Sequence, residues 1–300
     1  MKLKKNKNHP TRIAVLLAAY NGILWIEEQI NSIFQQKDVD VDIYISVDLS
    51  IDGTYEWCKD LSKKNTHTKL LSYGDRFGGA AKNFFRLIQD VDFSDYDYVA
   101  LADQDDIWLP SKLSHAVETI KTRKVCALSS DAVAFFQDNS KFLIKKSYSQ
   151  KKFDYFFESG GPGCTYVLES RALQEFKDFL VLNLTLVNNI ASHDWLIYAY
   201  FREHALGWYI DSKSLILYRR HVFNQIGPNI GFGAYRKRLS MIKSGWYRKE
   251  VESIRALIDP NNQSGLQLDR LSLIKNFWQL RRHPRDAVVL LMILLIGIYE

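Results

Sequence analysis

The sequence predicts an α/β protein built on a mostly parallel sheet, and two observations support that prediction. Short apolar runs alternate with segments of helical spacing through the first half of the chain. The first run, Ile13 to Ala19, is apolar throughout, as in a strand that is buried on both faces. Right-handed crossovers through the intervening helices then bring successive strands side by side in one sheet.

The predicted elements follow this first strand in a regular order, and turn residues separate them. They are a helix over Ile23 to Gln36, a strand over Val41 to Val47, a helix over Tyr55 to Lys63, a strand over Lys69 to Tyr73, a helix over Gly79 to Gln89 and a strand over Tyr96 to Ala102. In such sheets ligands bind at the carboxyl ends of the strands. Asn21, Asp48 and the acidic run that begins at Asp103 fall at those ends, so we expect the binding site there.

The acidic run is the most informative segment of the chain. An apolar strand leads directly into Asp103, Asp105 and Asp106. Carboxylates this close repel one another unless a cation or several hydrogen-bond donors offset the repulsion. A polar turn with one Asp as helix N-cap explains one acid but not three. The pattern therefore predicts a divalent metal that also holds a diphosphate, and a site for phosphate-activated substrates.

Length and composition restrict the class of protein. Three hundred residues suit one large domain, or a domain with an appendage. Cys58, Cys126 and Cys164 are widely spaced and include no CxxC pair, which is typical neither of a disulfide framework nor of a zinc site and fits a reducing compartment. The basic N-terminal residues 1–10 lack the apolar core of a signal peptide, so secretion is not expected.

The C-terminal residues 229–300 form a predicted basic, amphipathic helical tail. Lysines and arginines alternate with aromatic residues over 232–285, but no recognisable nucleic-acid module accompanies them, and we expect no nucleic-acid partner. The apolar run from Ala287 to Tyr299 is too short to span a bilayer of about 30 Å as a helix. We expect this run to contact an anionic membrane surface; a buried core helix or a dimer contact stays open.

Six ordered motifs resemble the family 2 glycosyltransferases over about residues 11–225. They are Ala18-Ala-Tyr-Asn-Gly22, Ser46-Val-Asp-Leu-Ser-Ile-Asp-Gly-Thr54, Gly78-Gly-Ala-Ala-Lys-Asn-Phe84, Asp103-Gln-Asp-Asp-Ile-Trp108, Ser192-His-Asp-Trp195 and Tyr218-Arg-Arg-His221, with Asn224 and Gly227 beyond them. The resemblance implies a GT-A domain over 11–228 that uses a nucleotide sugar and inverts the anomeric centre. The acidic motif is most similar to the branch of bacterial rhamnosyltransferases that build cell-wall and capsular polysaccharides.

The resemblance implies a set of donor-binding residues. Asp48 corresponds to the position that reads the base, where a carboxylate accepts the imide N–H of uracil or thymine. The family usually has two adjacent Asp and a Gly here, whereas this chain has Val47 before and Leu49 after Asp48. The full donor set is Ala19, Tyr20, Asn21, Asp48, Lys82, Asp103, Gln104, Asp106, Trp108, Arg219 and Arg220. A strand-end cap for Asp48, an exposed helix position for Lys82 and a core position for Trp108 are the alternatives.

The resemblance also implies the metal ligands. Asp105 is expected to bind Mn²⁺ or Mg²⁺ directly, and His221 to complete its coordination or to bind the diphosphate. Asp103 is expected to support the metal, or to reach the ribose or the sugar. A purely structural histidine is the alternative for His221.

Inverting transfer needs a general base that takes the proton of the acceptor hydroxyl. The resemblance assigns this role to Asp194, at the start of a helix; an acid favoured there by the helix dipole is the alternative. The expected acceptor-binding residues are Gly163, Cys164, Thr165, His193 and Trp195.

Together these expectations describe transfer of L-rhamnose from dTDP-rhamnose to a lipid-linked saccharide at the cytoplasmic face of the bacterial plasma membrane. A UDP-galactose or UDP-glucose donor is the alternative within the family. A sugar nucleotidyltransferase usually opens with a Gly-rich basic phosphate loop, which Ala18 to Gly22 lacks. A non-catalytic binding protein would not need Asp105 and Asp194 together.

Overall fold

The structure is a computed structural model that describes residues 10–221 and 244–299. Its strands are β1 (Thr11–Ala19), β2 (Val39–Val47), β3 (Thr68–Leu70), β4 (Tyr98–Asp103), β5 (Ile107–Trp108), β6 (Ala127–Ser130), β7 (Ala132–Phe135), β8 (Lys141–Ile144), β9 (Val167–Glu169), β10 (Trp208–Asp211) and β11 (Ile216–Arg219). Its helices are α1 (Ile26–Phe34), α2 (Thr54–Lys64), α3 (Ala80–Asp90), α4 (Lys112–Arg123), α5 (Ser170–Leu182), α6 (Leu184–Val187), α7 (His193–Glu203), α8 (Trp246–Ile258), α9 (Arg270–Leu280) and α10 (Pro284–Leu295).

The predicted alternation of strands and helices produces a seven-stranded central sheet in the order β10-β6-β9-β4-β1-β2-β3. Strand β1 pairs in parallel with both β2 and β4. Strand β9 runs antiparallel to its two neighbours, β4 and β6. The sheet is therefore mostly parallel, as expected, with one reversed strand that the sequence pattern did not indicate.

Most predicted element boundaries differ from the observed ones by one or two residues, and two differ by three. The first helix begins at Ile26, not Ile23, because Asp52 and Thr54 accept hydrogen bonds from the backbone N–H groups of Ile23 (3.1 Å) and Gly22 (2.8 Å) and hold that segment as a turn. The third strand ends at Leu70, not at Tyr73. Beyond it the ring of Tyr73 stacks on Tyr55 at 3.8 Å, which draws the chain away from the sheet.

The carboxyl ends of β1, β2 and β4 lie side by side at one edge of the sheet. Ala18 aligns with Asp103, and Ala19 with Val47. The buried side chain of Asn83 in α3 donates to the carbonyl oxygens of Ala19 (3.3 Å) and Ser46 (3.1 Å). The Asn83 amide therefore links the carboxyl ends of β1 and β2, at the same edge of the sheet where the acidic run begins.

A second sheet, in the order β5-β11-β7-β8, joins distant parts of the chain. Strand β11 pairs antiparallel with β5 and parallel with β7. The pairing of Ile216 with Trp108 brings the segment after β11 beside the turn that precedes β5. Residues near 105 and near 220 thus meet at one place.

Helices α8, α9 and α10 share a hydrophobic core with the sheet. Leu16 of β1 and Phe84 of α3 belong to the same buried cluster as Ile254, Leu273 and Leu294. The predicted boundary at 228/229, and the motif residues Asn224 and Gly227, lie outside the described residues. None of the helices within residues 10–221 and 244–299 combines the length and the apolar character needed to cross a membrane.

We expect Leu294→Ala to destabilise the whole protein. Leu294 is 1% exposed in the shared core, so truncation should cost about 2–5 kcal/mol of unfolding free energy. Its neighbour Leu295 is 51% exposed and provides the control, since Leu295→Ala should change stability by less than about 0.5 kcal/mol. Urea unfolding followed by tryptophan fluorescence and by circular dichroism measures both. A separate transition for the C-terminal helices would contradict the shared core.

Candidate active site

The predicted acidic run lies where β4 leaves the sheet. Asp103 is the last residue of β4, and Asp105 and Asp106 lie in the turn before β5. Asp105 is 8% exposed and Asp106 is fully buried. A turn at the end of a buried strand therefore places three carboxyl groups in a largely desolvated space.

Asp105 and His221, which are predicted to share one metal site, lie in direct contact. The Oδ2 atom of Asp105 lies 2.7 Å from Nε2 of His221. The imidazole stacks on the indole of Trp25, with ring centroids 3.9 Å apart. The pairing of β5 with β11 explains this proximity between residues that are far apart in the sequence.

Arg219 holds the acidic turn in place. Its backbone N–H donates to Oδ1 of Asp106 (3.1 Å), and its Nε donates to the carbonyl oxygen of Asp105 (2.8 Å). Its guanidinium also pairs with Glu28 of α1. Arg220 is buried, and its side chain lies over the ring of Tyr218 at 5.5 Å. These bonds give Arg219 a structural role, and its contact with the donor stays a prediction.

Cys164 lies beneath the acidic residues rather than on an open acceptor loop. One oxygen each of Asp103 and Asp106 and the Sγ of Cys164 lie within 4.8 Å of one another. Burial raises the pKa of the Cys164 thiol well above its usual value, so the group stays protonated. A protonated thiol donates a hydrogen bond, and it stabilises the charged forms of both carboxyl groups.

Burial and neighbouring charges disfavour the ionised forms of Asp103 and Asp106. Burial, together with the charges of Asp105 and Asp194, raises the pKa of Asp103 to about 7. Burial and the charges of Asp105 and Asp103 raise the pKa of Asp106 well above its usual value. Within the described residues, Oδ2 of Asp106 is buried without a hydrogen-bond partner. A cation at this place would offset the repulsion between the carboxylates and give Oδ2 of Asp106 a partner. Carboxylate oxygens and one imidazole are ligands that suit Mn²⁺.

Lys112 is a buried cation beside this cluster that the sequence did not reveal. Its Nζ lies 3.5 Å from the ring centroid of Trp108. Burial lowers the pKa of Lys112 to about 7, while the charges of Cys164 and Asp106 act in the opposite direction. Trp108 itself is 2% exposed, and its backbone N–H donates to Ser32 (3.0 Å). This placement favours the core alternative for Trp108 over a wall of the sugar pocket.

The first motif is held against the acidic turn by Gln104. The side-chain amide of Gln104 donates to the carbonyl oxygen of Tyr20 (2.8 Å) and accepts from its N–H (2.7 Å). A Cβ atom on Gly22 would lie 2.1 Å from Oε1 of Gln104, so a larger residue there would displace the Gln104 side chain from Tyr20. Ala19 is buried, and the ring of Tyr20 is 48% exposed. Asn21 accepts a hydrogen bond from the N–H of Ile51 (3.0 Å) and shapes the same edge.

Asp48 organises the loop that follows β3. Its Oδ1 accepts from the N–H groups of Leu49 (2.8 Å) and Phe77 (2.9 Å), and its Oδ2 accepts from Gly78 (2.8 Å). The carboxylate therefore closes this loop over the end of β2. Lys82 is exposed in the first turn of α3. The base-reading role of Asp48 and the donor contact of Lys82 stay predictions.

The structure brings Asp194 to the acidic cluster. Asp194 is the second residue of α7, and its Oδ1 accepts from the N–H of Trp195 (2.8 Å). Burial raises the pKa of Asp194 to about 6, against the opposing effects of the Trp195 N–H, the charge of Lys146 and the hydroxyl of Ser159. The charge of Asp194 in turn raises the pKa of Asp103, so the two groups face the same space.

The predicted acceptor residues divide into two groups. His193 stacks on Phe84 with centroids 4.0 Å apart, and burial lowers its pKa to about 3, which keeps the ring neutral. A Cβ on Gly163 would lie 2.5 Å from Nε2 of His193, so glycine is required beside the ring. Thr165 and Trp195 instead bind the backbone, donating to Pro162 (2.7 Å) and Tyr155 (2.9 Å) respectively. Their geometry favours structural roles.

The sequence matches the family model of Glycosyl transferase family 2 over residues 14–175. The chain belongs to this family. One curated relative, the dTDP-rhamnosyl transferase RfbG of Shigella flexneri, is 44% identical over 289 residues, which cover 94% of this chain and 100% of the relative. The family and this full-length likeness confirm the predicted enzyme class: the chain is a glycosyltransferase that uses a nucleotide sugar.

Solved structures confirm the fold. S. aureus TarS in complex with UDP-GlcNAc matches with a TM-score of 0.55 at 14% identity, over 96% of this chain and 89% of that chain. The mannosyltransferase PcManGT from Pyrobaculum calidifontis in complex with GDP-Man and Mn²⁺ matches with a TM-score of 0.52 at 14% identity, over 98% and 82% of the two chains. The central sheet with its flanking helices is therefore a GT-A-like fold.

Proposed function

We propose that this glycosyltransferase moves L-rhamnose from dTDP-rhamnose to a saccharide acceptor during synthesis of a bacterial surface polysaccharide. The observation that carries the proposal is the likeness to a dTDP-rhamnosyl transferase over that protein's full length. The donor would lie along the carboxyl ends of β1, β2 and β4, where Asp48 and the acidic turn meet.

Asp194 is the proposed general base, and the reaction is a single inverting displacement. As the acceptor oxygen attacks the anomeric carbon, its proton passes to the Asp194 carboxylate and the nucleoside diphosphate leaves from the opposite face. Burial supports this role, because a carboxylate whose pKa is raised to about 6 is a stronger base than an exposed one and is still mostly ionised near neutral pH. The neutral ring of His193 and the Gly163 turn would form the acceptor side.

We expect Asp194→Asn to reduce transfer from dTDP-rhamnose by about 10²-fold or more, because the amide cannot accept the proton. Binding of dTDP, measured by calorimetry, should stay within about 2-fold, since the side chain is assigned to the acceptor.

In the parent enzyme, kcat should fall as the pH drops below about 6, where the carboxylate becomes protonated. Asp40, exposed at the start of β2, supplies the control Asp40→Asn. Full transfer by Asp194→Asn would contradict the assignment, and a faster reaction with UDP-galactose or UDP-glucose would contradict the donor.

A divalent cation, Mn²⁺ or Mg²⁺, is the proposed cofactor, with Asp105, His221 and Asp103 as its protein ligands. Support comes from the Asp105–His221 pair, the raised pKa of Asp103 and the buried oxygen of Asp106 that has no partner among the described residues. Bound there, the cation would neutralise charge that develops on the departing diphosphate. Arg219 keeps the ligands in place through its bonds to Asp105 and Asp106.

Asp105→Asn should weaken Mn²⁺ binding about 10-fold or more, because a neutral amide is a poorer ligand for a hard cation. Paramagnetic resonance of free Mn²⁺ measures this binding directly and independently of turnover. Transfer by the parent enzyme should be lost in EDTA and restored by added Mn²⁺. Equal Mn²⁺ binding by both proteins, or activity that EDTA leaves unchanged, would rule out this site.

The C-terminal helices are the proposed surface for peripheral docking on the cytoplasmic face of the plasma membrane. One face of α10 is buried in the core, whereas the other exposes a stripe of five apolar side chains, Val288, Val289, Met292, Leu295 and Ile296. Leu271 and Trp278 of α9 are also exposed, with the cations Lys275 and Arg285 nearby in the sequence. Apolar residues with adjacent cations suit an anionic lipid surface, and a lipid-linked acceptor would be presented there.

We expect the double substitution Met292→Ser and Ile296→Ser to weaken binding to phosphatidylglycerol-containing vesicles about 10-fold or more, because it removes apolar groups that would enter the bilayer interface. Leu182→Ser is the control, since Leu182 is 84% exposed on α5. Vesicle sedimentation measures the binding. If the double variant instead converts a dimer to a monomer in analytical ultracentrifugation and binds vesicles normally, the stripe is an interface between two copies of the chain.

A further inference from the structure

Glu250 of α8 is buried against the start of α7. Its side chain is 4% exposed, and its Oε1 accepts hydrogen bonds from the N–H groups of Ala191 (3.0 Å) and Ser192 (3.0 Å). Ser192 precedes the first residue of α7, and no capping hydrogen bond from its own side chain is present in the described structure. The first N–H groups of a helix need partners. Glu250 supplies this partner from a different helix, two residues before Asp194.

Arg282, between α9 and α10, is buried against residues 154–159. It is 3% exposed, and its Nη2 donates to the carbonyl oxygen of Ser159 (2.6 Å). Its Nη1 donates to Asp154 (2.9 Å), and its backbone N–H donates to Glu158 (2.6 Å). The hydroxyl of Ser159 stabilises the charged carboxyl group of Asp194. Arg282 therefore fixes the segment that carries this hydroxyl.

We propose that Glu250 and Arg282 are positioning residues for Asp194, so that the C-terminal helices complete the active site. This inference rests on the proposed role of Asp194 as the base. Neither side chain reaches the substrate; each holds a segment that fixes the carboxylate. A displacement of about 1 Å at a reacting group can cost about 10²-fold in rate, so small losses of support are measurable.

The charged, titratable and hydroxyl groups that interact with Asp194 come from several elements. Asp103 faces it from β4, Lys146 from the segment after β8, Ser159 from the loop before Cys164, and Tyr166 from the residue before β9. Its neighbour on α7, His193, is neutral. Glu250 is the acidic group on α8, and its charge and that of Asp194 repel each other. Burial, together with the charge of Asp194, thus raises the pKa of Glu250.

The test compares Glu250→Gln with Glu250→Ala in the full-length enzyme. The Gln amide oxygen still accepts the two N–H bonds, so the maximal kcat should stay within about 3-fold and dTDP affinity should stay the same. The Ala variant loses the support, and its maximal kcat should fall about 10- to 100-fold with dTDP affinity nearly unchanged. Glu252→Gln is the control, because Glu252 lies on the same helix and pairs with Arg248 at the surface.

Arg282→Lys tests the second support. A lysine keeps the charge but has one nitrogen where Arg282 uses Nη1 for Asp154 and Nη2 for Ser159, so kcat should fall about 10-fold or more with dTDP affinity retained. The control is Arg171→Lys, at an exposed position of α5. If Glu250→Ala does not fold, the kcat and dTDP affinity of Arg282→Lys decide.

If kcat in both Glu250→Ala and Arg282→Lys equals that of the parent enzyme, the positioning role is wrong. The parallel Asp194→Asn variant separates this failure from a failure of the proposed function. If Asp194→Asn is inactive while the positioning variants behave like the parent, only the inference fails. If Asp194→Asn transfers normally, the base itself is wrongly assigned.

Discussion

The repulsion among buried carboxyl groups at the end of β4 is the constraint on which the rest of the site depends. Asp105 and Asp106 are buried. Burial and the charges of neighbouring carboxylates disfavour the ionised forms of Asp103 and Asp106. A fold tolerates such a cost where neighbouring groups or a bound cation offset it. Arg219, His221 and the Cys164 thiol are the neighbours that do so here. The negative charge of this site therefore favours the binding of a cation.

The two sheets explain how these neighbours arrive from such different parts of the sequence. The central sheet sets the ends of β1, β2 and β4 in one line, and the amide of Asn83 prevents two of them from separating. The small sheet then brings β11, and with it Arg219 and His221, against the acidic turn. The residues of the candidate site therefore come from both sheets, and backbone hydrogen bonds hold each sheet together.

The sequence predicted those features that depend on local pattern. Apolar runs located β1, β2 and β4, and the motif around Asp194 located the start of α7 within a residue. Strand β9, which runs antiparallel, is only three residues long, and its sequence carries no pattern from which its direction could be predicted. Lys112, Glu250 and Arg282 were missed because a charged residue within a helix or a basic stretch is usually exposed. Only tertiary packing shows that these three are buried.

The C-terminal helices connect the outer surface to the proposed base. Arg282 has hydrogen bonds to Asp154, Glu158 and Ser159, and any movement that broke them would leave buried charges unpaired. The helices therefore cannot shift against the sheet without large cost. Under the proposed docking, the exposed stripe of α10 would set the orientation of the enzyme on the bilayer, and this rigid connection would set the orientation of Asp194 as well. A lipid-linked acceptor, confined to the same surface, would then meet a base whose distance from the membrane is fixed by the fold.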